Sequence, residues 1–436
     1  MLAGVGRRAG RMSTNVAGTL PVMKQSRQRF AGRPATGRSM VRGRRRPIGT
    51  IGSARRAVSR DWSAWALLAV SSAAVGAWAA VVQADEATVV RQPRPLRIAA
   101  FNAENLAAPG ERTTLTRFRF EPARRRHLER IAAVVETLTP DILVMPEVVS
   151  RQGVDAVVEL LHAKGLTDYS GHHVDGRDKF SGFDVAIIAR IEPDTIDGER
   201  IHLFVPAATK RAAKRSSAAA DDAKAGEEPG ADSGEDWMRR AYSYEDSRGT
   251  TRREEAVLQR HAVAYFTVGD TKLAVLGMHL KSNPSDVSAN AQRAAETAIA
   301  RELIRRRIVA RGYLPIVLGD LNDYDPDVPM ADAGRRTRTT VLRDLKDFDD
   351  SREGDELVNA AGFIPRQADR YSSHWDFNEN GAADGDDVFT LIDHVLVPRE
   401  LVPAVTRAFI CHAIDLDVSD HFPVVVDFDL TRLPRD

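Results

Sequence analysis

The stretch Ile316-Val-Leu-Gly-Asp-Leu-Asn-Asp323 carries the densest chemistry in the chain. Pro315 to Leu318 read as a short buried strand that Gly319 ends, so Asp320 and Asn322 stand just past an apolar run. Two residues apart in extended chain, their side chains point the same way. A carboxylate placed there can orient or deprotonate a water, and an amide beside it can hold a phosphoryl oxygen. Taken alone, the same four residues also read as a plain polar turn.

The pattern recurs. Leu96 to Phe101 reads as a strand ending in Asn102-Ala-Glu104-Asn105, and Ile142 to Met145 as another with Glu147 just beyond it. Among apolar neighbours a carboxylate at 147 is expensive unless it binds something. Leu273 to Leu280 ends in His279-Leu-Lys281-Ser282, Phe389 to Val397 contains Asp393-His394, and Ser419-Asp420-His421-Phe-Pro423 precedes the strand Val424 to Phe428. A packed sheet can bring such ends to one rim. His394 reads as packing or surface, and Lys281 as a solvated cation unless a polyanion lies beside it. Hard carboxylate and amide oxygens with no thiolate among them favour Mg2+ or Mn2+ over zinc.

The elements that must position these residues follow from periodicity. Pro122 to Leu138 is expected to be a helix, with Leu128, Ile131, Val134, Val135 and Leu138 on one face and Pro140 stopping it. Gly182 to Arg190 reads as a strand with Asp184 at its start. Ala262 to Val268 and Leu273 to Leu280 form a hairpin pattern about Gly269-Asp270. Asp286 to Val309 is a long helix closed by Gly312, and Thr339 to Ala361 is helix and loop. An insertion is expected at about 205–255. Its part 208–235 is almost free of apolar residues and cannot make a core.

Gly319-Asp320-Leu-Asn322, Leu391-Ile-Asp393-His394 and Ser419-Asp420-His421-x-Pro423, with Phe101-Asn102 and Glu147 ahead of them, resemble the motifs of the endonuclease/exonuclease/phosphatase superfamily. The resemblance covers most of 96–430 and implies an α/β DNase I-like sandwich of four layers, two packed mixed β-sheets flanked by helices. It implies that Glu147 is a principal metal ligand with Asn102 near it, and that Asp420 supports the metal site or a second cation. Asp320 orients or activates the water, Asn322 binds the transferring phosphoryl group, His421 pairs with Asp393, and His279 contacts the phosphate. Two histidines could instead divide base and leaving-group duties, so the base stays open among Asp320, His279 and His421. Glu147 follows Pro146 where the family usually has glutamine, and Glu104 lies where some members carry a second metal-side carboxylate.

His279-Leu-Lys281-Ser282 is similar to the secreted nuclease branch, with Lys281 on the substrate and DNA or RNA as the partner. A phospholipid or other small phosphoester is the alternative substrate, in the manner of sphingomyelinases and phosphatases. A silent binding module of the same fold is the third reading. Nothing in the sequence calls for an obligate protein partner.

Asp376, Asn378, Asn380, Asp384 and Asp387 stand at positions 1, 3, 5, 9 and 12 of an EF-hand-like spacing with Gly381 at 6, a pattern for Ca2+. Asp387 is short for the twelfth ligand and the flanks lack paired helices, so an acidic surface loop is the rival reading.

Charge is unevenly spread. The 436 residues have a formal net charge of +1, but residues 1–84 hold 15 of the 62 bases and one of the 61 acids. The remainder therefore stands at −13. Arginines up to Arg60, the apolar run Ala64 to Val82 and Val82-Gln83-Ala84 have the build of an export signal cleaved near Ala84. Residues 64–82 kept as a membrane anchor are the rival. The n-region is long for a signal, so Met23 or Met40 is a candidate start. The body is thus expected to be secreted or periplasmic. With Cys411 as the single cysteine, no intramolecular disulfide is open to it.

Overall fold

The computed structural model describes residues 95–111, 121–178, 181–206, 236–332, 334, 336–353, 356–378, 384–385 and 387–434. The expected leader over 1–84 lies outside them, as do residues 207–235 and Asn380. Among the described residues no helix is long and apolar enough to cross a membrane.

In chain order the first half contains β1 (Leu96–Ala100), α1 (Glu121–Leu138), β2 (Ile142–Val148), α2 (Arg151–Ala163), β3 (Ser170–His173) and β4 (Asp184–Ala189). The middle contains β5 (Arg240–Glu245), β6 (Thr251–Ala256), β7 (His261–Val268), β8 (Thr271–His279), α3 (Val287–Leu303) and β9 (Leu314–Asp320). The last part contains α4 (Val341–Lys346), β10 (Leu357–Asn359), β11 (Ser373–Trp375), β12 (Val388–Thr390), β13 (Asp393–Pro398), β14 (Val405–Ile410) and β15 (Val424–Phe428).

Two mixed sheets face each other, one ordered β14-β15-β1-β2-β4-β3 and the other β10-β13-β9-β8-β7. Alternation along each strand divides the residues between layers. Ile98 and Ala100 enter the core between the sheets, while Ala99 and Phe101 pack outward with Leu128, Ile131 and Val135 of α1. On the other side Ile316 and Leu318 point inward, and Val317 meets Ile299 and Leu303 of α3. The result is helix, sheet, sheet, helix, the expected four-layer sandwich. At Gly277 the facing sheet leaves no room for a side chain. A Cβ there would lie 2.6 Å from Val144 Cγ1 and 2.9 Å from Val185 Cγ1.

The long helix is shorter than its periodicity suggests. Asp286 caps α3 by accepting from the Ala289 N–H at 2.8 Å. After Leu303 the backbone widens into a π-helical turn, Ile304–Ile308, then tightens over Val309–Arg311 before Gly312 (φ +76°) ends it. Of Thr339 to Ala361 only α4 is α-helical. The expected insertion at about 205–255 is in part a built element. Beyond the undescribed 207–235, β5 and β6 pair in register from Arg240↔Ala256 to Glu245↔Thr251.

Candidate active site

The five-stranded sheet sets three side chains in one row. Parallel pairing of β8 with β9 places His279 opposite Asp320, and antiparallel pairing of β13 with β9 places Asp393 opposite Asp320. Adjacent strands lie about 4.8 Å apart, so the three groups are neighbours by register alone. Gly319 permits the approach: its φ is +130°, and a Cβ there would lie 2.1 Å from the Met278 carbonyl oxygen. Asn322 follows at φ +52°, its N–H donating to Asp320 Oδ1 (3.1 Å) and its side-chain amide to the Leu280 carbonyl (3.2 Å).

The six-stranded sheet supplies the facing groups. Register shifts between Pro146 and Val148 in β2, leaving Glu147 on the bulge at φ +61°. Asn102, just past β1, donates through Nδ2 to Glu147 Oε1 and to Asp320 Oδ2, both at 3.2 Å, and so ties the two sheets at the rim. Before β15, Ser419 Oγ donates to the Asn102 carbonyl (2.8 Å) and accepts from the His421 N–H (3.0 Å). Glu104 accepts from the Asp420 N–H at 3.1 Å, so it braces that turn.

His421 Nδ1 lies 2.7 Å from Asp393 Oδ2, leaving Nε2 3.9 Å from both Asp320 Oδ2 and Asp420 Oδ1. Ser372, which sequence reasoning missed, holds the other end of this pair. Its Oγ donates to Asp393 Oδ2 (2.8 Å) and accepts from the Asp393 N–H (2.8 Å). Arg260 was missed as well: it donates to His279 Nδ1 at 3.4 Å. With Nδ1 an acceptor, the proton of a neutral imidazole sits on Nε2, which is 3.5 Å from Asp320 Oδ2 and 3.9 Å from Glu147 Oε1. Nothing in the local sequence of Ser372 or Arg260 announces these partners, which meet only in the fold.

Electrostatics at the rim are strained toward excess negative charge. Burial, and then the neighbouring Asp393, push Asp320 up to about 7. Burial also raises Glu147. His279 is held well below its ordinary value by burial and by Arg260. Burial would lower His421 too, but Asp393, Asp320 and Asp420 outweigh it and hold the imidazole well above its ordinary value. Asp393 Oδ1 is buried without a hydrogen-bond partner. Crowded, partly desolvated carboxylates with one orphaned oxygen fit a divalent cation. Glu147, His279 and Asp320 bring ligand atoms within 4.8 Å of one another, as do Asp320, Asp393 and His421.

Other sequence-predicted residues fall elsewhere. His394 is buried in the packing: Nε2 meets the Asp323 carbonyl (2.9 Å) and Nδ1 meets Asn359 Nδ2 (3.0 Å). In the 376–387 loop Asp387 is turned onto His374 Nε2 (2.7 Å) and the N–H groups of Phe377 and Asp384, while Asn378 donates to Asp384. The segments flanking that loop are β11 and β12, paired strands where an EF-hand has helices.

The profile of the Endonuclease/Exonuclease/phosphatase family matches residues 99–421, most of the chain. The chain belongs to that family. No curated protein matches it. Among solved structures it is similar to TDP2 from Caenorhabditis elegans, at 14% identity over 77% of this chain and 74% of that one, with a TM-score of 0.42. It is similar also to an AP endonuclease from Archaeoglobus fulgidus, at 15% identity over 77% and 99% with a TM-score of 0.47. A third, a 3' phosphatase from Neisseria bound to product DNA hairpin, has 16% identity over 77% and 99% with a TM-score of 0.43. Within the family the clustered acids and histidines at the rim are consistent with a metal-dependent phosphoesterase.

Proposed function

We propose that this chain is a divalent-metal-dependent phosphodiesterase that cleaves nucleic acid, and that it does so outside the cytoplasm. One observation carries the catalytic reading. A buried His–Asp pair, His421 with Asp393, places Nε2 3.9 Å from Asp320 Oδ2, and a second histidine, His279, places its own Nε2 3.5 Å from the same oxygen.

Glu147 and Asp320, with Asn102 beside them, would hold Mg2+ or Mn2+, and the cation would supply charge neutralisation of the phosphate oxygens. Asp393 keeps the His421 proton on Nδ1 and stabilises the charged ring, so that the Nε2 side faces the reacting phosphate. His279, neutral and protonated at Nε2, can donate to a phosphate oxygen. Asp320 accepts from Asn102 and from the backbone at Asn322, and its remaining lone pairs can orient the attacking water. Asn322, its amide held on the Leu280 carbonyl, would bind the transferring phosphoryl group. Asp420 lies at the open edge, where a second cation would sit.

A second reading has its own observation. Trp375 and Phe377 are 46% and 58% exposed and stack edge-to-face at 5.7 Å beside the turn that carries Asp420. An apolar pair in that place suits a phospholipid substrate. Cleavage of plasmid DNA, RNA and sphingomyelin, each with and without chelator, separates the readings. Chelator-sensitive loss of DNA or RNA is expected. Turnover of sphingomyelin alone favours the second reading, and no metal-dependent cleavage of any substrate returns the chain to a binding module. Export rests on the Arg-rich, apolar, Val82-Gln83-Ala84 leader. N-terminal sequencing of the mature protein should begin near Asp85, and a cytosolic chain starting near Met1 refutes it. Ca2+ at the 376–387 loop has only the ligand spacing in its favour.

A further inference from the structure

A cavity of about 770 Å3 opens at the rim, with Glu147 and His279 in its wall. Four cationic side chains line it: Arg177, Arg239, Arg260 and Lys281. Arg260 is occupied with His279 Nδ1 and the Leu280 carbonyl. Arg177 and Arg239 come from elsewhere, the first from the segment between β3 and β4, the second from the neck of the β5–β6 hairpin. Each spends one guanidinium N–H on the protein, Arg177 on the Pro206 carbonyl (2.8 Å) and Arg239 on Glu255 Oε1 (2.7 Å). A guanidinium has five donors, so both keep most of theirs for a ligand in the cavity.

The acids in the same wall are largely committed. Asp178 accepts from Ser181 and lies 3.9 Å from Arg260, and Glu296 accepts from Gln292 (2.9 Å) and from the Lys281 N–H (3.1 Å). The β11–β12 loop is acidic instead: it carries Asp376, Asp384 and Asp387, and its strand β11 is joined to the Asp420 turn through the His374 N–H, which donates to the Asp420 carbonyl (2.8 Å). A polyanion leaving the reacting centre would be drawn over the basic cavity rather than toward that loop.

We propose that Arg177 and Arg239 form a subsite for the phosphate next to the scissile one, so that the substrate is a polynucleotide whose chain runs out over this cavity. The subsite rests on the nuclease reading given above. It assigns the β5–β6 hairpin, through its neck, to substrate selection. Arginine suits the task, because its planar fork engages two phosphate oxygens at once.

The test is the double variant Arg177→Gln with Arg239→Gln, read in two ways. Binding of a fluorescent, cleavage-resistant oligothymidylate is measured against salt concentration, and hydrolysis of bis(4-nitrophenyl) phosphate, which has a single phosphate, is measured in parallel. The variant should bind the oligonucleotide about tenfold more weakly, with a log–log salt slope smaller by about 0.7 for the lost phosphate contact. Its kcat/KM on the single phosphodiester should stay within about twofold of the parent. Arg177→Lys with Arg239→Lys should restore most of the salt slope, which a merely misfolded hairpin would not allow. An unchanged salt slope, equal losses on both substrates, or a parent that binds no oligonucleotide overturns the subsite. A parent that binds the oligonucleotide with the expected slope but hydrolyses nothing instead sinks the catalytic reading and leaves the subsite standing.

Discussion

The two sheets deliver their side chains by different means. In the five-stranded sheet His279, Asp320 and Asp393 are strand residues aligned by register, so ordinary pairing fixes the spacing. In the six-stranded sheet nothing comes from regular strand. Glu147 sits on a bulge, Glu104 and Asn105 follow β1 at φ +45° and +64°, and His421 stands before β15 in a turn braced by Ser419. A row set by register can change a side chain and keep its backbone. Positions with positive φ cost about 1 kcal/mol or more each for a residue other than glycine, and persist only where surrounding contacts hold them. The row of His279, Asp320 and Asp393 should therefore fail by chemistry and the groups of the six-stranded sheet by geometry.

Asp320→Asn is the sharpest break in the row. Its rate constant should fall by about a thousandfold with little change in substrate binding, as the water-orienting role proposed for it requires. The same change should raise the metal-free melting temperature above pH 7, since it removes a buried charge whose ionisation the fold resists. Kinetics and calorimetry on one preparation check both signs. An activity loss accompanied by a lower melting temperature would show that the row depends on more than side-chain chemistry.

His421→Ala, at the junction of the two sheets, should cost about a hundredfold or more, and Asp393→Asn part of that, because an amide can no longer stabilise the charged ring. Equal activity in His421→Ala and the parent would remove the pair from the mechanism. Glu147→Gln should act on metal: the half-saturating Mg2+ concentration should rise by about tenfold or more, and high Mg2+ should recover much of the rate. A loss that no metal concentration repairs would mean that the bulge itself, and with it the geometry of the six-stranded sheet, had moved.

The smallest effect is on pH. Asp320 has a folded pKa near 7, above its unfolded value, so its contribution to stability is present below the unfolded pKa and is lost as pH rises through about 7. His421, also raised, acts in the same direction: its contribution is full below the unfolded histidine pKa and lost as pH rises through the folded one. Metal-free protein should therefore melt at lower temperature at pH 8 than at pH 6. A cation must displace the Asp320 proton, so the stabilisation given by Mg2+ should be larger at pH 8 than at pH 6. Thermal melts at the two pH values, with and without Mg2+, read both trends.

What could be read in the sequence follows the same division. Apolar runs with an acid, amide or histidine at one end disclosed β1, β2, β8, β9 and β15. The single strand expected over Phe389 to Val397 is instead two, β12 and β13, in different sheets. Antiparallel pairing sets the starts of β13 and β15 beside the ends of β9 and β1. Arg240 to Ala256 escaped because both strands are mostly exposed: β5 alternates only through Tyr242 and Tyr244, and β6 is a run of charged residues with no apolar face. They hold together through cross-strand pairs such as Tyr242 with Glu254 (2.7 Å), which depend on register. Arg151–Ala163 did carry a signal, a Ser150 cap followed by Val154, Val157 and Leu161 at helical spacing. Ser372 and Arg260 had none, because what matters is the distant atom each one meets.

Asn102 and His421 belong to one rim although more than three hundred residues separate them, and β15 lies between β1 and β14 in the sheet. Arg97 clasps Asp427 across that junction through two hydrogen bonds, at 2.6 and 2.9 Å. A ribosome releases β1 early and β15 late, so a growing chain carries β1 with one edge unpaired until nearly all of the rest has been made. The candidate site consequently has no partial form: until the turn at Ser419 arrives, neither the His421–Asp393 pair nor the brace on Asn102 exists. A site built this way is assembled only when synthesis is nearly over, and the late closure of so long a loop makes β15 docking the expected slow step of folding.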